Sequence, residues 1–472
     1  MSFVSLVFLA FIGIFYPLYR LLPHRGQNHL LLAGSLLFYG WWDWRFLFLL
    51  IGTSTLDWFV GLKLGEIADD ARRKRWLVAS LTANLTVLGF FKYFNFFADS
   101  FAHVLSLAGL HASWTTLHIV LPIGISFYTF QSMSYTIDVY RRHLKPGKDY
   151  FEFLTFVSFF PQLVAGPIER AVTLLPRVQS PRRVTWDGFT RGMYLILLGL
   201  VKKAAISDGV AGSVDAIYNR AGAVSGADVT VATWLFAIQI YGDFAGYSDI
   251  ARGLAKLLGF DLITNFDQPY FAVNPSDFWR RWHISLSTWL RDYLYVPLGG
   301  NRGSTAMTYR NLMLTMGLGG LWHGAAWNYI LWGIYQGGIL CAHRLWTGGR
   351  KAASHAATWL HQLRFAITVL LFFQVTCYGW LLFRARSFSQ IATYTAALFT
   401  APGPLTVPLP TLPAVIGTVV LLALEVLQWR ARDVHFYRAW PSPVRGALYA
   451  GLLLLVCMGL GNTSTQFIYF QF

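Results

Sequence analysis

Charged residues make up only 13% of this 472-residue chain and hydrophobic ones 55%, with a mean hydropathy of +0.46. Soluble domains carry about 25% charge, so a fold with water as its only solvent is excluded. The formal net charge of +16 would suggest nucleic acid in a soluble protein. Here the basic residues are confined to links between apolar segments, a pattern of membrane topology, and no nucleic-acid partner is expected.

A helix crosses a bilayer with about 20 mostly apolar residues. In chain order such stretches occupy residues 3 to 22, 46 to 63, 76 to 97, 117 to 139, 230 to 248, 363 to 383 and 446 to 460. The first lacks the basic leader of a signal peptide and is followed at once by further apolar segments, so it reads as a retained helix. Arg20 and Arg25, then Arg72, Arg73, Lys74 and Arg75, then Arg141, Arg142, Lys145 and Lys148 mark three loops as cytoplasmic. Counting crossings puts the N-terminus outside. The cluster Arg430, Arg432, Arg438 and Arg445 before the last helix puts the C-terminus outside too, so residues 462 to 472 are expected to face the exoplasm or periplasm.

Two places break the simple alternation. Phe153 to Arg170, FLTFVSFFPQLVAGPIER, is apolar but short and holds Pro161 and Pro167, which fits a re-entrant segment. Residues 249 to 310 are too polar to span, though rich in Trp, Tyr and Leu, and read as a cytoplasmic-side interfacial region. With no internal repeat and no low-complexity tail, residues 1 to 472 are expected to form a single all-α membrane domain, a polytopic helical bundle with re-entrant and interfacial helices.

Within the interfacial region, SDFWRRWHISLSTWLRDYLYVP predicts one amphipathic helix, with N-cap chemistry from Ser276 and Asp277. Phe278, Trp279, Trp282, Leu286, Trp289, Leu290, Tyr293 and Leu294 share one arc, and His283 lies inside it. Arg280, Arg281, Ser287, Thr288, Arg291 and Asp292 fall opposite, and only Ile284 is out of place. Further on, Asn311 to Gly338 is apolar enough to cross, with His323 near its middle. Intramembrane ionisable residues usually face a cavity, a partner or a pathway. A neutral imidazole there is suited to taking a proton from a hydroxyl as its oxygen attacks an acyl carbon. Gly317, Gly319, Gly320, Gly324, Ala325 and Ala326 are expected to leave space beside it. Small residues more often mean close helix packing, and aromatic stripes more often mean interfacial anchoring.

Asp138, Asp243 and Asp249 sit at or near apolar segments as partners, pathway groups or helix-end residues. Cys341, Cys377 and Cys457 stand apart without metal-ligand spacing, so neither a disulfide framework nor a metal site is expected. The sequons at Asn84 and Asn462 carry no weight. GxSxG, HExxH and P-loop patterns are missing, as are closely paired carboxylates in a span. Catalysis by a lone histidine or a histidine pair remains.

Five segments in one order carry a resemblance: LPIGISFYTFQSMSYTIDVYR from Leu121, FFPQLVAGPIER from Phe159, DFAGYSDIARGLAKLLGF from Asp243, NFDQPYFAVNPSDFWRRWHISLSTWLRDYLYVPLGGNRG from Asn265, and GLWHGAAWNYILWG from Gly320. Together they resemble the membrane-bound O-acyltransferases, in the branch that contains the alginate O-acetyltransferase membrane subunit. The resemblance implies a central tunnel holding both histidine positions, with His323 catalytic and His283 along the donor route. It implies an acyl thioester donor, with acetyl-CoA favoured, arriving from the cytoplasm, no permanently bound cofactor, and an acceptor on the opposite face. The implied setting is a bacterial inner membrane, in company with periplasmic acetyl-transfer proteins and a polysaccharide secretion complex, and the implied product is an acetylated exported polysaccharide such as alginate or cellulose.

The C-terminal QFIYFQF reads by default as an aromatic belt at the outer interface. The resemblance adds a second role, in which Tyr469 accepts the acyl group and relays it to a partner. Two alternatives stay open: D-alanyl or peptidoglycan O-acyl transfer, and a transporter or flippase for a lipid-linked saccharide. Against the transporter, no repeated halves with matching discontinuous helices are visible.

Overall fold

The computed structural model describes residues 1–110, 119–348, 359–461 and 467–468, and the described residues contain no strand. They form two compact units, Met1–Met193 with Ala251–Ile263 and Tyr194–Ile250 with Thr264–Phe472. The division falls within two helices, α9 and α11, given below.

The first unit holds α1 (Leu6–Leu21), α2 (His24–Gly40), α3 (Arg45–Glu66), α4 (Asp70–Leu107), α5 (Ile125–Tyr140), α6 (Tyr150–Ser158), α7 (Phe160–Leu163), α8 (Ala171–Gln179) and the start of α9 (Trp186–Leu200). Helix α2 is missing from the expected spans because His24, Arg25, Gln27, Asn28 and His29 dilute its first turns. The segment expected to cross over residues 117 to 139 is instead a 16-residue α5 whose positions 125 to 139 are all buried in protein; residues 111–118 lie outside the described residues. At 1.5 Å per residue it is about 24 Å long, short of a full hydrocarbon core.

What holds α3, α4 and α5 together is a polar cluster rather than apolar area, which has little driving force between helices in lipid. Asp57 on α3 is fully buried and accepts from Ser80 Oγ at 2.6 Å, from Asn84 Nδ2 at 2.9 Å and from Ser132 Oγ. Arg73, one of the basic residues expected to mark a loop, is 5% exposed. Its guanidinium caps helix ends, donating to Leu64 O on α3 and to Val139 O and Tyr140 O on α5 at 3.1 and 2.8 Å. The apolar stretch 153–170 becomes two short buried helices, α6 and α7, with Pro161 in the first turn of α7.

The second unit holds the rest of α9, a π-helical stretch Val201–Ser207, α10 (Asp208–Tyr218), α11 (Gly226–Leu257), α12 (Pro275–Arg281), α13 (Ile284–Leu290), a second π-helical stretch Arg291–Tyr295, α14 (Thr305–His323), α15 (Trp327–Thr347), α16 (Trp359–Arg384), α17 (Phe388–Thr400), α18 (Leu412–Ala431) and α19 (Ser442–Gly459). Its core is aromatic and includes Phe236, Phe278, Trp282, Trp332, Trp380 and Phe383. Helix α18 is absent from the expected spans, although it is as apolar as α16.

By length and composition α3, α4, α16, α18 and α19 can each cross a bilayer, and α1 is a shorter apolar helix. Their outward faces are apolar: Leu370 and Leu371 on α16 and Val419 on α18 are each more than 60% exposed. Such a surface belongs in lipid. The protein is an all-α, multi-pass membrane protein.

Candidate functional site

Two helix breaks build the site, and neither is visible in the sequence. The single amphipathic helix expected from Ser276 onward is interrupted at His283, which adopts the left-handed conformation at φ 42°, ψ 54° between α12 and α13. Its N-cap is Asn274, whose side chain accepts from Asp277 N at 2.8 Å, with Pro275 as the first helical residue. Ser276 and Asp277 thus lie inside the helix. Asp277 carboxylate turns back to Val273 N at 3.3 Å, completing a reciprocal cap. Burial follows most of the expected arc across the break: Phe278, Trp282, Leu286, Trp289 and Leu290 are all at most 5% exposed and His283 is fully buried, while Trp279, Tyr293 and Leu294 are half-buried.

The second break corrects the expected single span over 311–338. Helix α14 ends at His323, the chain runs extended from Gly324 to Ala326, and α15 turns back to pack along α14 as a hairpin. The glycines serve this packing. A Cβ at Gly320 would collide with Tyr329 O, one at Gly333 with Met316 O, and one at Gly324 with the Tyr329 ring. Gly320 and Gly324 thus serve the helix–helix approach and the seat of Tyr329, whereas a Cβ at Gly317 would meet nothing within 4 Å.

The two breaks bring the histidines together, with ring centroids 6.5 Å apart. His323 is 5% exposed and walled by Trp322, Trp332 and Phe383, at 5.2, 5.0 and 5.5 Å between ring centroids. Asn328 fixes one of these walls. Its amide donates to Phe383 O and Ala385 O at 3.1 and 2.9 Å and ties the start of α15 to the end of α16. His283 meets Phe244 edge-on at 4.6 Å and Trp322 at 6.0 Å.

Asn265, which sequence reasoning did not single out, sets the state of His283. The Ser285 backbone N–H donates to Asn265 Oδ1 at 3.2 Å, and a backbone N–H can only donate, so the amide oxygen is the atom at that place. The same oxygen lies 2.9 Å from Ser285 Oγ and 3.1 Å from His283 Nδ1. An amide oxygen accepts only, so His283 carries its proton on Nδ1 and directs the lone pair of the neutral ring from Nε2. Asn265 is itself held, its Nδ2 donating to Ser248 Oγ at 3.2 Å and its carbonyl accepting Ile284 N at 2.9 Å. Burial, reinforced by the nearby His323, pushes the His283 pKa well below the ordinary 6.5 and keeps the ring neutral.

Beside α13 lies a cavity of about 310 Å³. Ile284, next to His283, and Met316, two turns before His323, give it apolar walls, while Arg280, Arg291, Thr288 and Tyr295 supply charged and hydroxyl groups. Apolar walls with a few convergent polar groups are the usual make-up of a small-molecule site.

Of the acidic residues noted in the sequence, Asp243 and Asp249 on α11 pair with Lys203 and Lys202 of the first π-helical stretch, at 2.7 and 2.8 Å. Asp138 is buried on α5 in the first unit. Tyr469 lies outside the described residues.

The sequence profile of the membrane-bound O-acyltransferase family matches residues 139–382, a stretch that contains both histidines and Asn265. The chain belongs to the membrane-bound O-acyltransferase family. Its relatives include a probable alginate O-acetylase of Pseudomonas aeruginosa, 43% identical over 401 residues that cover 84% of this chain and 75% of the relative. A peptidoglycan O-acetyltransferase of Helicobacter pylori is 34% identical, covering 80% and 76%. A teichoic acid D-alanyltransferase of Bacillus subtilis is 26% identical, covering 56% and 69%. As a member of this family the protein is an O-acyltransferase, and its substrate pair includes an acyl donor.

Proposed function

We propose that the protein O-acetylates an exported polysaccharide from a bacterial inner membrane, using an acyl thioester such as acetyl-CoA from the cytoplasm, with both chain termini outside. The observation that carries this reading is the facing of His283 and His323 in a buried aromatic enclosure. A neutral imidazole in such surroundings can act as a base without first losing a charge.

His323 is the base. An acceptor hydroxyl oxygen attacks the acyl carbon as the imidazole takes its proton. The carbon–oxygen bond forms, the carbon–sulfur bond breaks, and the same proton passes to the departing thiolate. His283, with Nε2 as its acceptor atom, lines the donor route and assists proton movement or holds the thioester in line. The cavity beside α13 holds the donor, with the guanidinium groups of Arg280 and Arg291, paired with Asp277 and Asp292 in the free protein, shared with its phosphate charge.

Tyr469 supplies the acceptor hydroxyl in a first transfer. Periplasmic partners then carry the acetyl group to sugar hydroxyls within a secretion complex. The higher identity to the alginate and peptidoglycan relatives than to the D-alanyl one favours acetyl as the group moved.

The test is mass spectrometry of cell polysaccharides with and without the gene. Loss of acetyl esters from one polymer supports the proposal and names the acceptor. Loss of D-alanyl esters assigns the narrower alternative, and an unchanged ester content with altered polymer export assigns a transporter.

A further inference from the structure

The last two described residues, Phe467 and Ile468, are 7% and 4% exposed. The Ile468 backbone N–H donates to Asp243 Oδ2 at 2.6 Å. The Phe467 ring lies 5.0 Å from Tyr247 and 6.2 Å from Phe244, and Phe244 is the residue whose ring edge meets His283 at 4.6 Å. One turn of α11 therefore grips the C-terminal segment with Asp243, Phe244 and Tyr247 and touches the His283 wall with the middle one.

Asp243 is 1% exposed, and a buried carboxylate persists only when its oxygens are paired. Oδ1 faces Lys203 Nζ at 2.7 Å, and Lys203 also reaches Asp208 at 2.8 Å. Oδ2 is turned to the tail. Lys203 sits in the π-helical stretch 201–207, and such distortions recur at functional sites. Because the carboxylate takes a main-chain N–H, it recognises the segment's backbone, while the aromatic contacts of Phe467 fix the register.

We propose that Asp243, held by Lys203, is a positioning residue for the acyl transfer, seating the C-terminal segment against the wall that carries His283. This rests on the reading that Tyr469, the next residue after Ile468, takes part in the reaction. The seat recognises backbone, so it is independent of the tyrosyl hydroxyl and can be tested apart from it.

The experiment digests the purified full-length protein with carboxypeptidase Y and follows release of the last residues by intact mass, beside acetyl-transfer assays on the same samples. Asp243→Leu removes both acceptor oxygens: Lys203 keeps Asp208 as its partner, and the Ile468 N–H is left without its acceptor. Loss of one such bond is on the order of a tenfold change in opening, and tail release is expected to be about tenfold faster, with acetyl transfer reduced about as much. Asp243→Ala removes the same acceptor with a smaller side chain and is expected to free the tail equally. Tyr469→Phe is expected to keep wild-type release and to lose transfer, and adding Asp243→Leu to it is expected to lower transfer no further. Wild-type release in a folded Asp243→Leu or Asp243→Ala variant overturns the seat, and a freed tail with full acetyl transfer overturns its positioning role. A freed tail in Asp243→Leu beside full transfer in Tyr469→Phe leaves the seat standing and refutes the relay.

Discussion

Replacing Asn265 with Leu keeps the volume of the side chain and removes the oxygen on which Ser285 N–H, Ser285 O–H and His283 Nδ1–H converge. The hydroxyl can rotate to another acceptor; the backbone N–H cannot, and stranding a buried donor costs about 1–3 kcal/mol. Losing the bond to Nδ1 removes about 1 kcal/mol of preference for the tautomer with its lone pair on Nε2. At about 1.4 kcal/mol per tenfold in rate, the tautomer effect predicts a fall in kcat of about fivefold, while the stranded donor lowers stability. Asn265→Asp keeps an acceptor for all three donors and should recover most of that loss. Its carboxylate favours the charged imidazole, so the acid limb of the pH–rate profile moves to higher pH. The assay is transfer from radiolabelled acetyl-CoA in proteoliposomes as a function of pH. Wild-type kcat in the Leu variant, or equal impairment of the Leu and Asp variants, would refute the argument that an acceptor at this position sets the state of His283.

Gly333→Leu places a side chain where α14 and α15 touch at Met316; overpacking of this kind costs about 1–3 kcal/mol, so both thermal stability in detergent and transfer activity should drop, and an unchanged melting temperature would contradict the close approach. The double substitution of Arg280 and Arg291 by Ala should raise KM for the acetyl-CoA donor about tenfold with kcat little changed, and an unchanged KM would move the donor away from the cavity beside α13. Between the depressed folded pKa of His283 and the ordinary 6.5 of the unfolded chain, the unfolded state binds one proton more. Stability should therefore fall as pH drops below 6.5, by about 1.4 kcal/mol per unit within that window. In His283→Gln this component should vanish, and identical pH dependence of melting in the two proteins would argue that His283 is not held neutral.

How much was legible in the sequence differs between the spans and the site. Hydropathy found α3, α4, α16 and α19 because a lipid-facing helix must be apolar over its length. Helix α18 is as apolar as α16 and carries the same signal, though it is absent from the expected spans; the expectation failed at α5, which protein rather than lipid encloses. The burial arc around His283 survived because side-chain order along α12 and α13 is local. The kink at His283 and the turn after His323 did not show, since each depends on what packs against it: Asn265 from a distant loop in one case, Tyr329 in the other. Asn265 stood within a quoted motif yet carried no signal of its own, because a hydrogen bond between positions 18 apart leaves no period in the sequence. Asp243 and Asp249 were noted as polar residues in apolar surroundings. Only the structure supplied Lys203 and Lys202 as their partners.

The central claim is that His323 takes the proton from the hydroxyl that receives the acyl group. The most direct measurement quantifies acyl esters on the exported polymer in cells carrying wild type or His323→Ala, with membrane abundance of the two proteins matched. The account predicts esters no higher than in cells lacking the gene. Ester content near wild type at equal abundance would contradict it.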